Sequence, residues 1–222
     1  MTIAHSRVDN HVNSQRLLVL APHTDDAELG CGGSIARFAE EGTAVHVVAF
    51  SSAEDSLPAH LPSDTLKVEY LEAMPRLGVP RENLTVHGFQ VRRLSYHRQE
   101  ILEELVRLKR VIDPDLVFMP SGHDVHQDHQ VIHAEGLRAF KDVSLLGYEL
   151  PWNHITFSAQ AFVRLEARHI ELKWNALQAY RSQLDLGRPY FEKAFLEGLA
   201  RVRGVQAKSP YAEAFEVLHI RI

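Results

Sequence analysis

A chain of 222 residues, 45% hydrophobic and 24% charged, can bury a sizeable core without staples, which excludes a disordered, collagenous or coiled-coil protein. A formal net charge of −5 argues against a nucleic-acid partner, and the densest basic run, Arg107, Lys109 and Arg110, reads as a solvated helix face. The single cysteine, Cys31, forms no internal disulfide and points to a reducing, cytoplasmic setting. No apolar run approaches the roughly 20 residues of a membrane span. Residues 1–15 lack the apolar stretch of a secretory signal and read as a polar arm.

Elements alternate along the chain. Arg16–Ala21 is a short apolar run of the kind a buried parallel strand shows. Glu28–Glu41 is helical in pattern and stops at Gly42. Ala44–Ser51 is a second strand, Ser63–Gly78 a helix ended or kinked by Pro75, and Asn83–His87 a short third strand. Ser95–Ile112 is a helix with Ile101, Leu105 and Leu108 on one stripe. Leu116–Pro120 is a fourth strand, Asp128–Lys141 a helix and Ser144–Leu150 a fifth strand. Ile155–Leu165 then reads as strand, His169–Leu186 and Pro189–Arg203 as helices, and Ala212–Ile222 as a last strand. This order predicts an α/β fold, a Rossmann-like three-layer sandwich with a mostly parallel sheet in strand order 3-2-1-4-5. Residues 1–222 form a single domain on this reading, 16–150 being the Rossmann-like part and 151–222 a C-terminal α+β extension that walls the site.

The segment after the first strand is Pro22-His23-Thr24-Asp25-Asp26-Ala27-Glu28. In doubly wound folds ligands bind beyond the carboxyl ends of the strands. A dinucleotide site would put bare glycines here, but Gly30, Gly32 and Gly33 come only after a histidine and three acids that would repel a pyrophosphate. His23 and Asp26, three apart at a helix entry, can converge on one cation as an imidazole–carboxylate pair suited to zinc. Asp25 between them is left free to act as a base. Helix capping alone would need only one of these acids.

A second cluster, His123-Asp124-Val125-His126-Gln127-Asp128-His129, follows the fourth strand, which neighbours the first at the switch point. The two clusters then face one crevice. His23, Asp26 and His129 supply three ligands with an open fourth position, the arrangement of a catalytic metal site. His126 stays free beside the metal, and Asp128 holds a histidine ring N–H. His133 is an alternative ligand that reads better as a surface or supporting residue, His123 reads equally as a loop or a site residue, and Cys31 reads as a small helix residue facing the sheet.

PHTDDAELGCGG together with HQDH resembles the signature of the PIG-L/LmbE-like zinc-dependent de-N-acetylases, over roughly residues 16–150. The resemblance implies removal of an N-acetyl group from an amino-sugar-containing small molecule, free, nucleotide-linked or lipid-linked. It implies Zn2+, or another divalent metal, on His23, Asp26 and His129, with Asp25 as general base. It also implies His126 as stabiliser of the tetrahedral intermediate or as acid, supported by Asp128. On this expectation His126 is protonated and paired with Asp128. Where many relatives carry a T-x-G-E-like segment, this chain has Ser51-Ser52-Ala53-Glu54-Asp55, which leaves the substrate open.

The expected substrate contacts are Glu54, a sugar-facing wall of Tyr148, Glu149 and Trp152, and a phosphate-binding pair, Arg92 and Arg93. Two rival readings remain: a metal-dependent hydrolase of another amide or ester, and a non-catalytic metal-dependent sugar-binding module. The sequence leaves a homo-oligomer open.

Overall fold

The computed structural model describes residues 14–221; most of the polar arm expected over 1–15 lies outside them. Seven strands form one sheet in the order β3-β2-β1-β4-β5-β7-β6. They are β1 (Arg16–His23), β2 (Ala44–Ser51), β3 (Leu84–Val86), β4 (Leu116–Pro120), β5 (Ser144–Tyr148), β6 (Ala161–Leu165) and β7 (Tyr211–His219). The first five are parallel, β1 lying between β2 and β4. The C-terminal strands join the same sheet antiparallel. The helices are α1 (Asp26–Glu40), α2 (Thr65–Ala73), α3 (Arg98–Ile112), α4 (Gln127–Ala139), α5 (Ala167–Leu177), α6 (Arg181–Leu184) and α7 (Lys193–Ala207). No helix among the described residues is long and apolar enough to cross a membrane.

The period-2 alternation of a strand explains the three layers. Leu17, Val19 and Ala21 of β1 face one core with Ile35 of α1, Tyr70 of α2 and Ala176 of α5. Leu18 and Leu20 face the other, with Ile101 and Leu105 of α3 and Ile132 of α4. Covered on both faces, β1 buries seven of its eight residues, which is why it reads as a continuous apolar run.

Four segments depart from the expected elements. Only Ala161–Leu165 of the expected Ile155–Leu165 strand is extended in the sheet; upstream, His154 bridges to Asp124 instead and ties this loop to the site. The single helix expected over His169–Leu186 is two, α5 and α6. Between them Tyr180 turns inward, fully buried, and its hydroxyl donates to the Thr24 carbonyl at 2.5 Å. Three-ten turns also replace the start of the helix expected from Ser95 and the end of the one expected to Gly78.

Helix α1 breaks at Cys31 (φ −146°, ψ 25°), and the break is held by two buried side chains. Lys173 donates to the freed Leu29 carbonyl at 2.8 Å. Glu213 accepts the N–H groups of Gly33 and Ser34 at 3.0 and 2.7 Å, and Lys173 binds it at 2.7 Å. The first turn of α1 is thereby fixed separately from the rest of the helix. Gly30 ends that turn beneath the ring of Tyr148, where a Cβ would come within 2.4 Å of ring carbon.

Candidate active site

His23 ends β1 and Asp26 opens α1, so the chain turns at the carboxyl end of the central strand. The Asp26 Oδ2 accepts the His23 backbone N–H at 2.8 Å, which folds the carboxylate back toward the imidazole. Across the crevice from β4, α4 brings in His129. Three atoms converge: His23 Nδ1 lies 3.1 Å from Asp26 Oδ2, His129 Nε2 lies 3.2 Å from it, and the two nitrogens are 3.3 Å apart. A tetrahedral cation with bonds of about 2.0–2.1 Å has ligand–ligand edges of about 3.3 Å. The donor triangle therefore has the size and chemistry that Zn2+ requires.

Each of these histidines is held from behind by a buried carboxylate. Asp128, fully buried, sits 3.0 Å from His23 Nε2. Asp124, 1% exposed, sits 2.7 Å from His129 Nδ1. Such partners fix the ring orientation and leave the other nitrogen's lone pair facing the cation. The electrostatics follow. Burial alone would lower the pKa of His23, but Asp26 and Asp128 outweigh it and hold it at about 9. Asp26 and Asp124 likewise hold His129 at about 10 against burial. The carboxyl of Asp26, between the two rings, stays well below the usual range although burial opposes this.

Asp25 is the N-cap residue of α1 yet makes no side-chain capping bond. Its carboxyl lines the cleft, half-buried. Burial and the neighbouring Asp26 push its pKa up to about 6, against the pull of His23 and Arg188. His126 opens α4, its Nδ1 accepting the Asp128 backbone N–H at 3.1 Å. Burial and the nearby His129 and His23 push its pKa down to about 4. The expected side-chain pairing of His126 with Asp128 is thus corrected: the Asp128 carboxylate is engaged by His23 and by the N–H groups of Arg92 and Leu94, and only its backbone N–H meets His126. A histidine triad of His23, His126 and His129 also has ligand atoms within 4.8 Å of one another. The tighter triangle is the one with Asp26.

The cleft holds about 250 Å³, room for a group the size of one sugar ring. Of the expected substrate contacts, Arg92 and Trp152 line it. Arg93 and Glu54 are exposed outside it. Tyr148 is fully buried, its hydroxyl donating to the Leu20 carbonyl at 3.1 Å, and Glu149 is ion-paired with Arg203, so neither forms a sugar-facing wall. The aromatic lining of the cleft is instead Trp152 stacked on Tyr190, with ring centroids 4.1 Å apart and planes at 12°. His123 pairs with Glu216 at 3.5 Å and His133 bonds the Pro120 carbonyl; both lie outside the cleft lining.

Asp124, Arg188 and Tyr190 were not assigned by sequence reasoning. Asp124 carries a signal, an acid at the end of β4 within a histidine-rich turn. The other two follow α6 with no local motif. Glu28 completes the leading motif from behind: fully buried and pushed well above its usual pKa by burial, it lies 2.6 Å from the Tyr180 hydroxyl.

Three convergent donors at the switch point of a doubly wound sheet, beside a carboxyl with no side-chain hydrogen-bond partner among the described residues, form the kind of site metal-dependent hydrolases use. The chain belongs to the PIG-L family: the model of that family, described as GlcNAc-PI de-N-acetylase, matches residues 18–140. It is 25% identical over 173 residues to the uncharacterized deacetylase YaiS of Escherichia coli, covering 75% of this chain and 90% of that one. Its fold resembles N,N'-diacetylchitobiose deacetylase from Pyrococcus horikoshii, with a TM-score of 0.76, 22% identity, and 93% and 84% of the two chains covered. It resembles GalB, the 4-carboxy-2-hydroxymuconate hydratase of Pseudomonas putida, almost equally, with a TM-score of 0.75, 22% identity, and 94% and 98% covered. Since a deacetylase and a hydratase share this fold, the chemistry is argued from the site.

Proposed function

We propose that this protein is a metal-dependent hydrolase that removes the N-acetyl group from an amino-sugar-containing small molecule. The observation that carries the reading is the 3.1–3.3 Å triangle of His23 Nδ1, Asp26 Oδ2 and His129 Nε2 with Asp25 beside it. A divalent cation, Zn2+ by the donor set, would supply Lewis acidity toward the acyl oxygen and toward water. Asp25 accepts the proton of the attacking water; a carboxyl raised to about 6 is ionised at neutral pH yet basic enough for the task. The same group, once protonated, returns the proton to the departing amine, so that acetate and a free amino sugar leave.

His126 works in its neutral form. Its Nδ1 is occupied as an acceptor of the Asp128 N–H, so the ring proton is on Nε2, where it is available to the acyl oxygen as negative charge develops. This replaces the protonated His126 expected from the sequence. The stacked Trp152 and Tyr190 suit a sugar face. A single, buried cysteine supports a reducing, cytoplasmic setting.

The test is acetate release by metal-replete protein from N-acetyl amino sugars, with amides and esters lacking a sugar as competitors. Asp25→Asn should keep its metal and lose at least about 100-fold in rate. Release from esters alone, or loss of metal in Asp25→Asn, would overturn the reading.

A further inference from the structure

Two guanidiniums enter the cleft without a carboxylate partner among the described residues. Arg92 reaches it from the loop after β3, and Arg188 from the loop after α6. Most arginines elsewhere are paired, as in Arg98–Glu135, Arg107–Glu104, Arg168–Glu40 and Arg203–Glu149. A bound divalent cation would offset Asp25 and Asp26, and the carboxylates of Asp128 and Asp124 stay behind the histidines, so the two guanidiniums are cationic groups left facing the open cleft.

Arg92 is exposed but fixed through its backbone, and Arg188 is half-buried and fixed through its side chain. The Arg92 backbone sits in the left-handed region (φ 64°), where glycine would be unstrained, and its N–H is clamped by Asp128 at 2.6 Å. Among the described residues its guanidinium makes one long bond, 3.4 Å to the Asp55 carbonyl. Arg188 follows Gly187 (φ 62°), lies over the Tyr190 ring at 5.8 Å and donates to its hydroxyl at 2.7 Å. The Trp152–Tyr190 stack therefore ends in a cation. A guanidinium fork matches the oxygens of a phosphate or carboxylate and is less strongly hydrated than an ammonium.

We propose that Arg92 and Arg188 form an oxyanion-binding subsite at the cleft mouth, and that the N-acetyl amino sugar carries a phosphate or carboxylate. This rests on, and narrows, the deacetylase reading. The cleft volume fits the sugar, with the anion held at its rim.

Calorimetric binding of amine products to the zinc-loaded protein tests it without requiring turnover. Glucosamine is compared with glucosamine 1-phosphate, glucosamine 6-phosphate and muramic acid, which separate phosphate from carboxylate. At least one anionic product should bind about tenfold or more tightly than glucosamine, less so at high salt. Arg92→Gln, Arg92→Gly and Arg188→Gln should each narrow that ratio, the glycine variant also relieving the left-handed backbone. Arg93→Gln, one residue outside the cleft, should leave it unchanged. Equal binding of neutral and anionic products would overturn the subsite. So would a preference that persists in all three cleft variants, which would place the anion on the metal alone. Acetate release from the matching N-acetyl compounds is scored separately. A retained anion preference with no acetate released would sink the deacetylase reading and leave the subsite standing.

Discussion

Replacing Glu213 tests how the first turn of α1 is held. Glu213 is 6% exposed and accepts four hydrogen bonds: from Gly33 N, Ser34 N, Ser34 Oγ and Lys173 Nζ, at 3.0, 2.7, 2.6 and 2.7 Å. Glu213→Gln turns one acceptor end into a donor facing donors and leaves the Lys173 ammonium, 4% exposed, without its counter-charge. Breaking a buried pair from one side costs about 3–5 kcal/mol. For a chain of this size that is a fall in Tm of roughly 6–20 °C. Lys173→Met removes the cation but leaves Glu213 its three other donors, and it orphans only the Leu29 carbonyl, a loss of about 1–3 kcal/mol. The double variant should cost less than the sum of the singles, because each disables the same staple. Urea and thermal unfolding of chelated protein measure the stabilities. The turn carries Asp26, so metal affinity in Glu213→Gln should fall as well. Strict additivity, or a Tm within about 2 °C of the parent in Glu213→Gln, would refute the argument that this pair holds the break.

Asp124→Asn should weaken zinc binding about 10- to 100-fold in a chelator competition, because the amide cannot accept from both His129 Nδ1 and the His126 backbone N–H; affinity within twofold of the parent would refute this. Zinc uptake should release protons and tighten as pH rises from 6 toward 9. His23 and His129, held near 9 and 10 in the metal-free protein, must lose their protons to bind, while Asp26 is already ionised. Proton release is read by titrating zinc in buffers of different ionisation enthalpy, and a pH-independent affinity would contradict it.

The parallel sheet was legible because both of its faces are buried. Ala44–Ser51 and Leu116–Pro120 are bounded in the structure where their apolar runs begin and end. The convergence of His23, Asp26 and His129 was legible because local spacing and strand position bring them together. What was hidden depends on partners remote in sequence. His23 and Asp128 are 105 residues apart, and nothing in H-x-D-H says that the carboxylate turns to the other motif's histidine rather than to its own. Tyr148 looked like a cleft residue because it ends a strand, but Gly30 leaves a space beneath its ring that draws it into the core. The aromatic wall came instead from Tyr190, in a turn whose position is set by Tyr180 reaching back to Thr24.

The two motifs contain four aspartates, and what each can do follows from the donors it meets. Asp128 and Asp124 lie behind imidazoles, and Asp128 also takes two backbone N–H groups, an engagement that holds its carboxyl below the usual range against burial. Asp26 is caught between two histidines and a backbone N–H, with its carboxyl held far below neutrality. Asp25 caps its helix without a side-chain bond and is buried beside another carboxylate, so its proton affinity rises where those of Asp26 and Asp128 are suppressed. Acid–base roles are set by environments that push equivalent groups apart. Asp25, raised to about 6, can change protonation state near neutral pH, and it does so facing the cleft. A binding module would have no use for that separation; a hydrolase that must move one proton from water to a departing amine requires it.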